Sequence, residues 1–198
     1  MDQRIRSTFP IATASWAAYR PVRVIVRRTV PALADFAMVF LVAGRSIVGI
    51  TSVHTSPAGE RLLRALRRIY RIRRDDLHSA VAQVIRTGRP LLRKRIQHDG
   101  QLTRRGSVAD LHRRLACRSA LVMPIRIGAV VVGAVTLCYA GSGRTYAPAD
   151  VAGAQRLARA IAQSVPPALP NATASRLRAA TGDARRHTAV RRRLAARN

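Results

Sequence analysis

The chain has 198 residues, with 36 Lys and Arg against 9 Asp and Glu, a formal net charge of +27. A hydrophobic fraction of 48% excludes wholesale disorder, and the length holds one domain with tails. The two cysteines, Cys117 and Cys138, exclude a disulfide scaffold and fit a reducing, cytoplasmic setting. Arg20, Arg23, Arg27 and Arg28 interrupt the N-terminal region, so no signal peptide is expected. The longest uncharged apolar run, residues 127–143, falls short of the ~20 residues that span a bilayer, so no membrane insertion is expected.

The basic residues are almost all arginine, with Lys94 the single lysine. Such a charge attracts phosphate backbones and anionic lipids whatever their sequence. It implies nonspecific polyanion binding at low salt, not a function. A dedicated nucleic-acid module interleaves aromatics with its basic groups, yet aromatics make up 4% of the chain and residues 61–74 contain Tyr70 alone.

In chain order, residues 1–20 show no sustained period and read as a weakly ordered lead-in. From Pro21 the apolar Val22, Ile25, Val26, Val30 and Leu33 recur at helical spacing, and Pro31 ends or kinks that helix. Residues 36–42 and 47–53 are two apolar, β-branched runs across Ala43-Gly44-Arg45, an antiparallel hairpin. After Ser56-Pro57-Ala58-Gly59, residues 60–74 form an amphipathic helix with Leu62, Leu63, Leu66, Ile69 and Tyr70 on one face and seven arginines over most of the rest.

Asp75-Asp76 are N-cap candidates for a short helix carrying Val81, Val84 and Ile85, which Gly88 and Pro90 stop. Leu91-Leu92 start a short strand before a basic loop that runs to Gly106. Ser107 and Asp110 open a helix through Leu111 and Leu115 to a break near Cys117. Residues 119–127 and 130–140, separated by Gly128-Ala129, form the second hairpin, its return strand apolar on both faces and hence central. Pro148 opens a closing helix that Pro166-Pro167 stop. Residues 167–198 form a basic tail with a weak helical stripe and too few large apolar residues for a core. The order predicts an α+β domain over residues 21–166 with an antiparallel sheet.

Five pieces in this order resemble the GAF domain of bacterial signalling proteins, such as sensor kinases and phosphatases. They are Val30-Pro31-Ala32-Leu33-Ala34-Asp35-Phe36, Val84-Ile85-Arg86-Thr87-Gly88-Arg89-Pro90, Cys117-Arg118-Ser119-Ala120-Leu121-Val122-Met123-Pro124-Ile125, Val132-Gly133-Ala134-Val135-Thr136-Leu137 and Tyr146-Ala147-Pro148-Ala149-Asp150. The resemblance implies a sheet of five or six strands with helices on both faces and a pocket under the middle helices. Family members use that pocket for cyclic nucleotides, haem, tetrapyrroles or other small molecules, and some serve as dimerisation modules. Fold alone does not choose among these, so the ligand stays unknown, with haem disfavoured.

No phosphate-binding Gly-rich loop, zinc motif or paired carboxylate site occurs, so no enzyme is expected. His54, His78 and His112 fall where the resemblance places the pocket and are ligand-binding candidates. Arg118, Ser119 and Tyr70 are candidates for an anionic group. Cys117 and Cys138 flank the central hairpin and can approach each other, with Arg118 able to lower a thiol pKa. The leading expectation is a cytoplasmic, non-enzymatic sensory or regulatory domain in signal transduction, stand-alone or part of a sensor kinase. It binds a small molecule, or pairs as a homodimer or with a signalling partner. The alternatives are a nucleic-acid-associated basic protein and a cysteine-dependent reductase of the GAF-like type.

Overall fold

The computed structural model of the chain describes residues 16–97 and 107–166. The start of the expected lead-in, the basic loop over residues 98–106 and the tail from residue 167 lie outside the described residues. A 3₁₀ turn, Trp16–Tyr19, runs directly into helix α1 (Arg20–Thr29). The hairpin β1 (Phe36–Ala43) and β2 (Ser46–His54) follows, then α2 (Pro57–Ile69), β3 (Ile72–Arg73), α3 (Ala80–Thr87) and β4 (Leu91–Arg93). Helix α4 (Val108–Leu115) leads to the second hairpin, β5 (Ser119–Ile127) and β6 (Val130–Tyr139), and α5 (Asp150–Ser164) closes the described residues.

The six strands form one antiparallel sheet in the order β3-β2-β1-β6-β5-β4. This confirms the expected α+β class and the upper of the two strand counts. Helices cover both faces. Helices α1 and α5 pack on each other, α1 against β2 and α5 against β5. On the opposite face α2, α3 and α4 share a core with Phe36, Met38, Phe40 and Val42, the even positions of β1. Every residue of β1 is buried for that reason. Its alternate side chains serve two different cores, which is why the sequence shows a continuous apolar run instead of alternation.

The two hairpins meet along β1 and β6, where Phe36 pairs with Cys138 and Leu41 with Gly133. Gly133 sits against the neighbouring backbone: a Cβ there would lie 2.1 Å from the Phe40 carbonyl oxygen. Asp35 closes the end of this seam. Its backbone N–H donates to Cys138 O at 2.9 Å, and its carboxylate accepts from Ala140 N at 2.7 Å and Ser142 N at 2.9 Å.

Three boundaries differ from expectation. Helix α2 begins at Pro57 because Ser56 is its N-cap, with Oγ accepting from Gly59 N at 3.1 Å, a cap worth roughly 1 kcal/mol. It ends at Ile69, and the chain turns extended at Tyr70 so that Ile72 can bury itself beside Ile47 as β3. The arginine-rich stretch is thus a helix plus an edge strand. Helix α3 is capped by Ser79, not by Asp75 or Asp76. Asp76 instead accepts from the N–H groups of His78 and Ser79 to hold the preceding turn, while Asp75 forks onto exposed Arg73. Helix α5 starts at Asp150, two residues after the expected Pro148, with Asp150 Oδ2 accepting from Ala147 N at 2.8 Å. Gly88 ends α3 with φ +66, as its sequence position predicts.

Two outcomes follow for stability. Gly133→Ala forces β1 and β6 apart and costs about 1–3 kcal/mol or more in urea unfolding. Acidification weakens the fold in two stages. Burial lowers the pKa of His54 despite the opposing charges of Asp35 and Glu60, so its stabilisation is lost first, as pH falls below the ordinary ~6.5. Burial alone would raise the pKa of Asp35, but the N–H donors of Ser142 and Ala140 and the nearby His54 prevail and lower it. That contribution is present above about pH 3.9 and lost below it. Unfolding midpoints measured against pH should lose the first stage in His54→Gln and the second in Asp35→Asn.

Candidate functional site

Between the sheet and α2–α4 lies a cavity of about 290 Å³. Its floor is Phe36, Met38 and Phe40 of β1, Ala120 and Val122 of β5, and Thr136 and Cys138 of β6. Ala120 and Cys138 are register partners, and their small side chains leave open the space that larger ones would fill. The walls are Leu66 and Tyr70 at the end of α2, residues 78–81 leading into α3, Arg93 at the end of β4 and Ile96 beyond it, and His112, Leu115 and Cys117 around α4.

The polar groups are distributed over this apolar frame. Tyr70 packs edge-on against Phe40 at 6.2 Å and against His112 at 5.1 Å between ring centroids. Burial raises its phenol pKa, and its hydroxyl hydrogen-bonds Ser79. Thr136 Oγ1 is buried and has no hydrogen-bond partner within the protein among the described residues. None of the described residues lining the cavity is a carboxylate.

Of the candidates from the sequence, the structure brings Tyr70, His78, His112 and Cys117 together on this lining. His54, Arg118 and Ser119 lie outside it. His54 stacks on Phe36 at 5.5 Å and its Nδ1 accepts from Ser56 N at 2.9 Å, so the imidazole fastens the turn into α2. The first turn of α2 rests on that ring: a Cβ on Gly59 would fall 2.2 Å from His54 Cδ2. Ser119 is fully buried; its Oγ donates to Arg93 O at 3.0 Å and accepts from Tyr146 N at 2.9 Å, tying β5 to β4 and to the loop before α5. Arg118 is exposed, and its backbone pairs with Tyr139 and Ile96.

Sequence reasoning missed Ser79, Arg93 and Thr136. Thr136 was discoverable, as the one aliphatic hydroxyl in an otherwise largely apolar central strand. Arg93 had no signal among so many arginines. A second depression of about 410 Å³, on the α5 face, is lined by Met123, Arg126, Gln155 and Arg159 among others. Arg126 there is held by the carbonyls of Gly88 and Ala129, and no candidate residue faces it. The chemistry therefore concentrates in the cavity under α2–α4.

Among the described residues no group of three or more His, Cys, Asp or Glu is arranged to hold a metal ion. No helix among them is long and apolar enough to cross a membrane.

Solved structures with this arrangement include the GAF domain/HD domain protein from Geobacter sulfurreducens, at TM-score 0.55 and 17% identity over 76% of this chain and 90% of that one. The GAF-B domain of DevS from Mycobacterium smegmatis superposes at TM-score 0.50 and 17% identity, covering 81% and 96% of the two chains. A type II free methionine-R-sulfoxide reductase from Thermoplasma acidophilum does so at TM-score 0.51 and 10% identity, covering 75% and 92%. At these identities the likeness is one of fold. No curated protein matches the chain in sequence. The GAF domain family matches residues 18–165, the span that carries the sheet, both helical layers and the cavity; the chain belongs to the GAF domain family, whose members are in general sensory and regulatory domains of signalling proteins.

Proposed function

We propose that this GAF domain is a non-enzymatic sensor that binds one small molecule in the cavity between the sheet and α2–α4. In this reading it passes occupancy on in the cytoplasm through a homodimer or a signalling partner. The observation that carries the reading is an apolar cavity of about 290 Å³ on whose lining Tyr70, His78, Ser79, Arg93 and His112 gather. The volume lies just below the ~300–1,000 Å³ of drug-sized sites, so it suits a compact ligand. Tyr70, His78, Ser79, Arg93 and His112 offer donors and no carboxylate of the described lining competes, which favours a ligand with an apolar body and acceptor or anionic groups. The fold likeness to a sulfoxide reductase does not by itself favour a reductase.

A second reading, charge-driven association with nucleic acid, draws on α2. Arg61, Arg64 and Arg68 are exposed on it, while its one carboxylate, Glu60, is held by Arg23 and Arg27 of α1. The guanidiniums crowd one another: burial, then Arg23, Arg64 and Arg68, lowers the pKa of Arg67.

Thermal-shift screening with cyclic nucleotides, nucleotide metabolites and small aromatic carboxylates tests the first reading. A ligand at a hundred times its Kd stabilises by about 2.7 kcal/mol, a rise of several degrees in Tm. That rise should vanish in Val122→Trp, which fills the cavity, while the variant keeps its far-UV circular dichroism. Silence across the panel, with Val122→Trp more stable than the parent, would reduce the domain to an interaction module. For the second reading, DNA affinity should fall steeply with salt and show no sequence preference. Changing Arg61, Arg64 and Arg68 to Gln should lower the log–log salt slope by about 0.9 for each phosphate no longer neutralised. Selective affinity that persists at physiological salt would reverse the ranking of the two readings.

A further inference from the structure

Cys117 and Cys138 are the only cysteines of the chain, and they meet at one wall of the cavity. Cys138 sits on β6 beside Ala120, and Cys117 precedes Ala120 by three residues on the lining of the same cavity, close enough for its thiol to act on that of Cys138. Cys117 lies on the connector between α4 and β5, outside the sheet ladder, where its Sγ donates to Ser119 O at 3.4 Å. Cys117 is half-buried, and Cys138 is 5% exposed. An arginine-rich composition explains many cationic surfaces, but it does not bring the two thiols to one wall of the cavity where the candidate side chains gather.

We infer that Cys117 and Cys138 form an oxidation site, at which a small hydroperoxide entering the cavity converts the two thiols into an intramolecular disulfide. Cys117, the more accessible, reacts first. Its sulfur attacks the distal peroxide oxygen, the O–O bond breaks, an alcohol leaves with the thiol proton, and Cys117 carries a sulfenic acid. The Cys138 sulfur then attacks the Cys117 sulfur, the S–O bond breaks, and the oxygen departs as water with the Cys138 proton. In total the cysteines lose two electrons and two hydrogens, and the peroxide becomes one alcohol and one water. Burial pushes the Cys138 thiol well up, which keeps it from reacting first with the peroxide, and it attacks the sulfenic acid only through its small thiolate fraction. Cys117 lies between α4 and β5, outside the strands, so a turn of its side chain towards Cys138 leaves the strand pairing in place. The bond would pin the α4–β5 connector to β6 and reshape that wall of the cavity, and a small dithiol would reverse it.

The test is to titrate reduced, purified full-length chain with tert-butyl hydroperoxide and follow thiol content and intact mass. The expected result is loss of both thiols with removal of two hydrogens, a Cys117–Cys138 cross-linked peptide, and full recovery with dithiothreitol. Cys138→Ser should stop at a dimedone-reactive Cys117, and Cys117→Ser should slow the disappearance of the remaining thiol at least tenfold. Thiols that survive excess peroxide, or oxidation that yields only disulfide-linked dimers, would overturn the inference. So would dimedone labelling of Cys138 in place of Cys117. The wild-type measurements decide the matter even if a variant fails to fold.

Discussion

The pairing of β1 with β6 is the constraint on which the rest of the domain depends. It joins two hairpins distant in sequence, and it works only because Gly133 lets the Phe40 carbonyl approach where any side chain would collide. Once the seam is closed, both strands lie in the interior of a six-stranded sheet, and each presents alternate residues to two separate helical layers. Burying a large apolar side chain contributes about 1.5–3 kcal/mol, and every residue of β1 is buried along this seam.

Polar clamps fix the ends of that apolar seam. Asp35 satisfies the N–H groups of Ala140 and Ser142 where β6 leaves the sheet. Ser119 and Tyr146 form the matching clamp for β5, with the Tyr146 hydroxyl donating to Leu33 O at 2.6 Å and its ring stacked on Tyr139 at 4.3 Å. Burial and the neighbouring Tyr139 hold that phenol far above its ordinary pKa, so it remains a donor throughout the accessible range. Glu60 serves the helices in the same way, receiving Arg23 and Arg27 across from α1. Carboxylates are scarce in the chain, and these two are committed to closing the fold.

The helical layers differ in how completely they fill. Helices α1 and α5 bring Val22, Val26, Leu157 and Ile161 against the sheet and leave none of them exposed. On the other side, the small side chains of Ala120 and Cys138 line the space that stays open under α2–α4. Packing at interior density leaves few such voids. The cavity is thus a consequence of residue size at a few β5 and β6 positions, and it is where Tyr70, His112 and the two thiols converge. Cys117 belongs to the same wall as His112 and Leu115.

Much of the fold was legible in the sequence, because each hairpin is an apolar run cut by a Gly-containing turn and each major helix carries its own apolar stripe. The boundaries that misled did so for tertiary reasons. Ile72 leaves the α2 stripe because Ile47 offers it a buried partner, and Ser79 takes the α3 cap because Asp76 is occupied with the turn before it. Candidate residues followed the same division. Tyr70, His78, His112 and Cys117 came from elements whose placement the family resemblance supplies, and they do line the cavity. His54 and Ser119 have the right chemistry in neighbouring positions, but their hydrogen bonds are committed to Ser56, Arg93 and Tyr146. By itself the sequence determined the elements, their order and the excess of positive charge, since these depend on local periodicity and composition. Only the tertiary structure decided which polar side chains line the cavity and that the two thiols gather at one wall of it, because both depend on register and side-chain size across strands distant in sequence.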